Sequence, residues 1–454
     1  MSETDSGAYN RLIDGDCRNL MGEGTHGGTI AKPKHLNGGI NQYSLEDIHW
    51  IAQQFAVRGD VVVTAFPGRG NINLHTYSVV STDGEFLLQK VNSDVFTMPH
   101  RVMGGMLASI DAQGRALESG RGDVGWEPIR LVPTRDGQPY LDLTDEDGWS
   151  VWRMMVRIPA SVSYKSLSEI EDREEQLRLA EEVGRGLAIY SDLTSDIDPS
   201  SVEGSLPGYR DTKLYYNQFH SAMACNRTLE QAAESLPSDP ILRASTEQHF
   251  LVALSDEEYV RRRNDPELQP FIELVMSREP FTMGLWTALE QGVIRNTLIH
   301  GDTKIENFLF CSETRKVKSL VDLDTIMPFT WLADYGDMLR SLVNVAGEKE
   351  RDLSKVVIDR DVYEAVSKGL LQSAKQVTDA EVALMVFSVQ AITMELGLRF
   401  LTDYLRGDTY FQLAEDDPAD LNKVRAMVQL TLYKRLSEFE AEAEARIGRY
   451  RVKA

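Results

Sequence analysis

The chain has 454 residues, and 70 Asp and Glu against 48 Lys and Arg give a formal net charge of −22. That balance argues against nucleic acids and anionic membrane surfaces as partners, because both are held by clustered cations. Three cysteines, Cys17, Cys225 and Cys311, none in a C-x-x-C pair, are too few for a disulfide framework or a zinc knuckle, and they fit a reducing cytoplasm.

Met1 to Asn10 is polar and lacks the apolar core of a signal peptide. The most apolar stretch, Val382 to Leu401, is interrupted by Ser388, Gln390, Glu395 and Arg399, which predicts a buried helix rather than a membrane span. Residues 1–41 contain GEGTHGGT and little periodicity, and are expected to form a mobile extension. A short helix is predicted over Ser44 to Phe55, with Ser44 as N-cap and Asp47 at N3. The next segment reads as β: Asp60 to Phe66, Leu74 to Ser81 and Phe86 to Val91, joined by a glycine-rich loop and by an Asp83-Gly84 hairpin turn. Further strands are predicted at Ile129 to Pro133, Pro139 to Leu143 and Ser150 to Ile158.

Beyond Ile158 the periodicity becomes helical. Helices are predicted at Ser168–Ser191, Leu214–Glu234, Ser255–Arg263, Asp352–Ala374, Asp379–Tyr404 and Pro418–Gly448, with one β island at Leu298–Asp324. The expected class is α+β, with a β-rich lobe over 42–158 and a helical lobe over 159–454.

The β island carries the chemistry. It reads LIHGDTKIENFLF over 298–310, then a polar turn, then a hydrophobic run ending in VDLDT at 321–325. Such a hairpin can bring Asp302, Asn307 and Asp322 to one edge. Asp302 and Asn307 have the D-x-x-x-x-N spacing of a kinase catalytic loop. A carboxylate to orient a hydroxyl, hard oxygens for Mg²⁺ and a cation near the γ-phosphate are the parts phosphoryl transfer needs. Lys304 is the candidate cation. His300 reads as a structural brace. Glu395, Arg399 and Asp403 recur every four residues and fit an ion-pair ladder on a helix face. Asp334, Asp337 and Arg340 fit a capping and ion-pair cluster equally well.

HGD-x-x-x-x-N followed by the hydrophobic-Asp hairpin resembles the aminoglycoside phosphotransferase and choline kinase superfamily. The segments VDLDTIMPFTWLADYGDMLRS, ELGLRFLTDYLRGDTYF, GRGNINLHTYSV and FLLQKVNSDVFTMPHRVM extend the resemblance to the N-acetylhexosamine 1-kinases. It implies a two-lobed, protein-kinase-like fold with ATP between the lobes, and transfer to the anomeric hydroxyl of an N-acetylhexosamine. ATP and Mg²⁺ would be the cofactors, with no obligate protein partner.

By the same resemblance, Asp302 would be the base, with Lys304 beside it. Asn307 and Asp322 would hold Mg²⁺, with Asp324 close by. The loop carrying Gly68, Gly70, Asn71 and Asn73 would cover the phosphates. Either Gln89 or Lys90 would face them, and Arg157 would lie at the hinge. His75, Asp334, Asp337, Arg340 and Arg399 would line or flank the sugar pocket. His75 stands where the family commonly has a carboxylate. The alternatives are another hydroxylated acceptor (an aminoglycoside, choline or a different sugar) and a nucleotide-binding pseudokinase.

Overall fold

The computed structural model describes residues 30–31, 43–66, 73, 75–123, 125–145 and 148–450. The chain divides into two compact units. One comprises Met1–Arg69, His75–Lys90 and Leu131–Met154; the other comprises Gly70–Leu74, Val91–Arg130 and Met155–Ala454.

The first unit is built on a six-stranded sheet with one two-residue strand from the predicted extension at one edge. Its elements are β1 (Ile30–Ala31), α1 (Leu45–Ala52), β2 (Val62–Ala65), β3 (Thr76–Ser81), β4 (Gly84–Lys90), β5 (Leu141–Asp145) and β6 (Gly148–Val156), in spatial order β1-β5-β6-β4-β3-β2. β1 runs parallel to β5, while β2/β3, β3/β4 and β5/β6 are antiparallel. α1 starts at the predicted capping box: Ser44 Oγ accepts from the Asp47 amide, and Asp47 Oδ2 accepts from the Ser44 amide at 2.8 Å. The predicted strand at Ile129 to Pro133 is an extended segment instead. It lacks a ladder of its own, and Val132 donates singly to the Met154 carbonyl at 2.8 Å.

The second unit is mostly helical. It opens with α2 (Pro99–Glu118), a 20-residue helix that strand-seeking patterns overlook. The signal was there: Pro99 opens the helix, and Val102, Met103 and Met106 are buried at helical spacing. There follow β7 (Ser161–Val162), α3 (Arg173–Leu193), α4 (Thr212–Met223), α5 (Pro240–Thr246), α6 (Asp256–Arg263), α7 (Gln269–Ser277), α8 (Glu279–Thr282) and α9 (Gly284–Glu290). α4 is shorter than its apolar pattern predicts, because Cys225 takes a left-handed φ of 58° just beyond its end.

The predicted β island consists of β8 (Thr297–Ile299), β9 (Phe308–Cys311) and β10 (Val317–Leu320), with β11 (Met327–Phe329) paired back onto β8. The chain ends in α10 (Trp331–Val343), α11 (Arg360–Ser373), α12 (Asp379–Ala383), α13 (Met385–Arg406) and α14 (Leu421–Gly448). The core of this unit joins α4, α7, α13 and α14 through Phe219, Ile272, Leu398, Leu401 and Leu430, each at most 2% exposed. α13 is buried along most of its length, which explains its near-continuous apolar sequence. Among the described residues no helix is long and apolar enough to cross a membrane.

Candidate active site

β8 delivers His300, Gly301 and Asp302 to the site, and backbone contacts hold this segment on every side. The His300 and Gly301 amides donate to the two carboxylate oxygens of Asp334, at 2.7 and 2.8 Å. Thr303 Oγ1 donates to the Asp334 carbonyl at 2.6 Å, and Thr325 Oγ1 to the His300 carbonyl at 2.7 Å. Gly301 has φ 86°, and a Cβ there would stand 2.5 Å from the Thr325 carbonyl oxygen. Only glycine tolerates both conditions. Burial pushes the Asp334 carboxyl up to about 7, while the two amides it accepts from pull the other way.

His300 is fully buried. Its Nε2 lies 2.8 Å from the Val321 carbonyl, and its Nδ1 accepts from the Asp302 amide at 3.3 Å. That pattern fixes the neutral tautomer with the proton on Nε2. Burial lowers its pKa further from the charged form. His300 therefore braces the loop between the Val321 carbonyl and the Asp302 amide.

The Asp302 carboxylate faces Lys304 Nζ at 3.0 Å, and Lys304 also reaches Glu306 at 3.0 Å. Burial opposes the lysine charge, but the Asp302 and Glu306 carboxylates outweigh it and raise its pKa. Asn307 Nδ2 donates to the Asp302 carbonyl at 2.7 Å and to Asp302 Oδ2 at 3.3 Å. The Val321 amide donates to the Asn307 carbonyl at 2.8 Å, which sets Asp322 beside this pair. Asp322 has φ 65° and ψ 59°, a left-handed conformation rare for residues other than glycine and typical of strained functional positions. Asp324 is 3% exposed; its Oδ2 accepts from Asn73 Nδ2 at 2.6 Å, and Asn73 Oδ1 accepts from the Asn92 amide at 3.0 Å. The structure thus joins Asp302, Lys304 and Asn307 by side-chain contacts, and Asp324 to Asn73.

The oxygens at this mouth are all hard donors from Asn and Asp. Among the described residues, no three His, Cys, Asp or Glu side chains form a group that could hold a metal unaided. Hard oxygens of this kind suit a divalent ion that takes one or two protein oxygens and completes its shell on phosphates.

A second cluster lies next to the loop. Asp337 is buried and pairs with Arg340 at 2.7 Å and Arg210 at 3.3 Å. Burial would raise its pKa, but the two guanidinium groups outweigh that and lower it. Arg340 also pairs with Glu348 at 3.1 Å. Asp337 and Arg340 are therefore engaged with each other and their neighbours, as the ion-pair reading expects.

Arg399 is different. Its guanidinium is surrounded by the rings of Tyr209, Tyr215, Tyr410 and Phe411, with centroids 5.4, 4.7, 5.3 and 5.3 Å away. It donates to Tyr410 Oη at 3.2 Å. Among the described residues no carboxylate lies within salt-bridge distance of it. The predicted ladder on α13 does not form. Glu395 accepts from Thr212 Oγ1 at 2.6 Å and pairs with Arg210 at 3.3 Å, while Asp403 accepts from Arg406 and from the Tyr410 and Phe411 amides. Tyr209 and Arg210, which have no sequence signal of their own, join the two clusters: both donate to the Gly301 carbonyl, at 2.8 and 3.2 Å.

In the first unit, Gln89 and Lys90 point to opposite faces of β4, as strand alternation requires. Gln89 Nε2 donates to Thr76 Oγ1 at 3.1 Å, and its Oε1 accepts from the buried Arg153 Nε at 3.1 Å. Lys90 Nζ lies over the Tyr43 ring at 5.1 Å, and His75 meets the same ring edge-on at 5.5 Å. Arg153 is a cation beside Gln89 that sequence reasoning misses, because it sits in a run of apolar β6 residues. Arg157 is exposed beyond the end of β6. Gly68, Gly70 and Asn71 lie outside the described residues. A cavity of about 120 Å³ lined by Ser191, Asp192, Arg295, Thr297, Trp331 and Leu370 includes none of the polar groups at the hairpin mouth.

Comparison with known structures finds similar folds. A microcompartment-associated aminopropanol kinase is similar at 14% identity and a TM-score of 0.51, covering 89% of this chain and 100% of that one. A choline kinase from Cryptosporidium parvum Iowa II (12% identity, TM-score 0.46, 88% and 97% coverage) and spectinomycin phosphotransferase (11%, 0.45, 86% and 99%) are also similar. The fold is thus the expected kinase-like one, a β-sheet N-terminal part followed by a mostly helical C-terminal part. Residues 122–355, more than half of the chain, match the profile described as the phosphotransferase enzyme family, APH. They span the loop that Asp334 clamps and the hairpin that carries Asp302, Asn307 and Asp322, and the chain belongs to that family.

Proposed function

We propose that the protein is an ATP-dependent kinase of a small hydroxylated molecule, with the anomeric hydroxyl of an N-acetylhexosamine as acceptor. The observation that carries the chemistry is Asp302, held by its backbone at the mouth of a hairpin that also presents Asn307 and Asp322. The acceptor oxygen attacks the γ-phosphorus as its proton moves to the Asp302 carboxylate. The bond from the γ-phosphorus to the β,γ-bridging oxygen breaks, and ADP leaves. Lys304, kept charged by Asp302 and Glu306, orients the base and faces the phosphoryl group. Asn307 and Asp322, with Asp324 behind them, would hold Mg²⁺, which when bound neutralises charge on the β- and γ-oxygens. Asn73, anchored on Asp324, would serve the nucleotide side. Gln89, Lys90 and Arg157 would serve the nucleotide. Asp334 acts through the loop backbone, and Asp337 and Arg340 act through Arg210. Positioning and fixed charge supply most of such catalysis.

Arg399 supports the sugar over a cationic acceptor. Its charge has no carboxylate counterpart at salt-bridge distance among the described residues. An aminoglycoside or choline would bring like charge to it, whereas a neutral sugar offers hydroxyl and acetamido oxygens to the guanidinium and apolar faces to the rings. His75 remains a candidate for the acceptor side. The presence of Asp302, Asn307 and Asp322 in the sequence speaks against a pseudokinase.

The test is a transfer assay with Mg²⁺-ATP against GlcNAc, GalNAc, glucose, galactose, kanamycin and choline, with phosphorus NMR of the product. An anomeric phosphate on an N-acetylhexosamine is the expected result. Turnover on choline or kanamycin alone would discard the sugar and keep the base. No turnover with tight ATP binding would leave the pseudokinase.

A further inference from the structure

The Tyr209-Arg210 corner is held far more firmly than a connecting loop requires. Arg210 is 3% exposed and takes a left-handed φ of 61°. Such a conformation is strained in a residue other than glycine and persists only where its surroundings enforce it. Here they do. The Arg210 amide donates to Tyr215 Oη at 2.9 Å, and Trp286 Nε1 donates to the Arg210 carbonyl at 2.7 Å. The guanidinium is fixed by Asp337 and Glu395, both at 3.3 Å.

The consequence is the placement of Tyr209. Its ring lies against two arginines, with Arg210 at 4.9 Å and Arg399 at 5.4 Å from its centroid. Its hydroxyl donates to the carbonyl of Gly301, the residue immediately before Asp302. Arg399 and the base are thus joined by two contacts through one side chain. We propose that Tyr209 is a positioning residue that sets the base relative to an acceptor held at Arg399, with Arg210 as its support. This rests on the reading above that Arg399 faces the acceptor. A tyrosine held between a substrate-binding cation and the backbone of the base transmits occupancy of one to the alignment of the other. Without that link the acceptor would still bind, but its hydroxyl and Asp302 would no longer be held in register.

The prediction is a split in the kinetic constants. Tyr209→Phe keeps the ring between the arginines and removes only the bond to Gly301. It should lower kcat by about 10²-fold, the usual cost of a misplacement near 1 Å, with acceptor KM within about 3-fold of wild type. Arg399→Lys should do the reverse, raising acceptor KM by about 10-fold or more while kcat falls less. In Tyr209→Phe, amide hydrogen exchange of the His300–Lys304 segment should quicken without a change elsewhere in the second unit, and in wild type acceptor binding should slow it. A fall in kcat with unchanged exchange, equal loss in kcat and KM, or wild-type kcat in Tyr209→Phe would each overturn the proposal. If a sugar is not the acceptor but another alcohol is, the same split is measured on that alcohol, so the two readings fail separately. If no acceptor turns over, exchange in Tyr209→Phe decides alone, and unchanged exchange ends the proposal. Circular dichroism and melting of each variant separate a misfolded protein from a misaligned one.

Discussion

The His300–Asn307 loop and the Glu395–Asp403 face of α13 both carry polar residues at close, regular spacing, but they use that spacing differently. In the loop the partners are near in sequence. Asn307 bonds Asp302, and Lys304 lies between the Asp302 and Glu306 carboxylates. Spacing there encodes contact. On α13, residues four apart share a face but do not pair with one another: Glu395 goes to Thr212 and Arg210, Arg399 to four rings, and Asp403 to Arg406 and the backbone beyond the helix. Helical periodicity fixes the direction in which a side chain leaves the helix. What it meets is decided by segments that arrive from elsewhere. Where those segments bring rings and buried amides, the i,i+4 attraction, a few tenths of a kcal/mol, is outbid.

The comparison can be broken at either end. The largest effect is expected in the loop: Asp302→Asn should lower kcat by about 10²–10⁴-fold, with melting temperature and nucleotide affinity kept. A variant with near wild-type turnover would remove Asp302 from its role. On α13, Asp403→Asn withdraws the charge facing the 2%-exposed Arg406, and should lower unfolding free energy by about 3 kcal/mol by denaturant titration. It should also raise acceptor KM, because the Tyr410 and Phe411 rings lose the anchor of their amides. Unchanged stability would return Asp403 to the solvated ladder.

Gly301→Ala should cost about 1–3 kcal/mol through its backbone conformation alone. The clash with the Thr325 carbonyl adds to this, so activity should fall further than stability predicts. The smallest effect concerns His249, whose ring meets Tyr410 edge-on at 5.2 Å. Burial pushes its pKa down to about 4, helped by Arg406. Its folded-state pKa thus lies below the unfolded value, so its stabilising contribution is present above about pH 6.5 and is lost as pH falls toward 4. His249→Gln should lose on the order of 1–2 kcal/mol less than wild type between pH 7 and 4. Parallel stability curves for the two proteins would exclude it.

These cases mark what a reader of the sequence can see. The hairpin, its Asp and Asn residues, the Ser44 capping box and the helical second half are legible, because each is written in local spacing or in a single turn residue. The α2 helix is legible too, in Pro99 and the spacing of Val102, Met103 and Met106, but its polar exposed face and three glycines dilute the pattern. The roles of Asp334 and Arg210 were not. Asp334 binds amides 33 and 34 residues earlier, and Arg210 reaches Glu395 across 185 residues. No local pattern announces such partners. The same holds for Arg153, whose charge hides among apolar neighbours because Gln89 on the adjacent strand accepts its hydrogen bond.

The bond from Trp286 to the Arg210 carbonyl gives the protein an optical gauge of the Tyr209-Arg210 corner. Indole emission shifts with the polarity and order around its N–H, and this N–H ends on the strained residue beside Tyr209. The difference between the fluorescence of wild type and Trp286→Phe isolates that one reporter from the other tryptophans. Titrating acceptor while watching it would follow the corner in solution, in real time, without a label and before any phosphate is transferred.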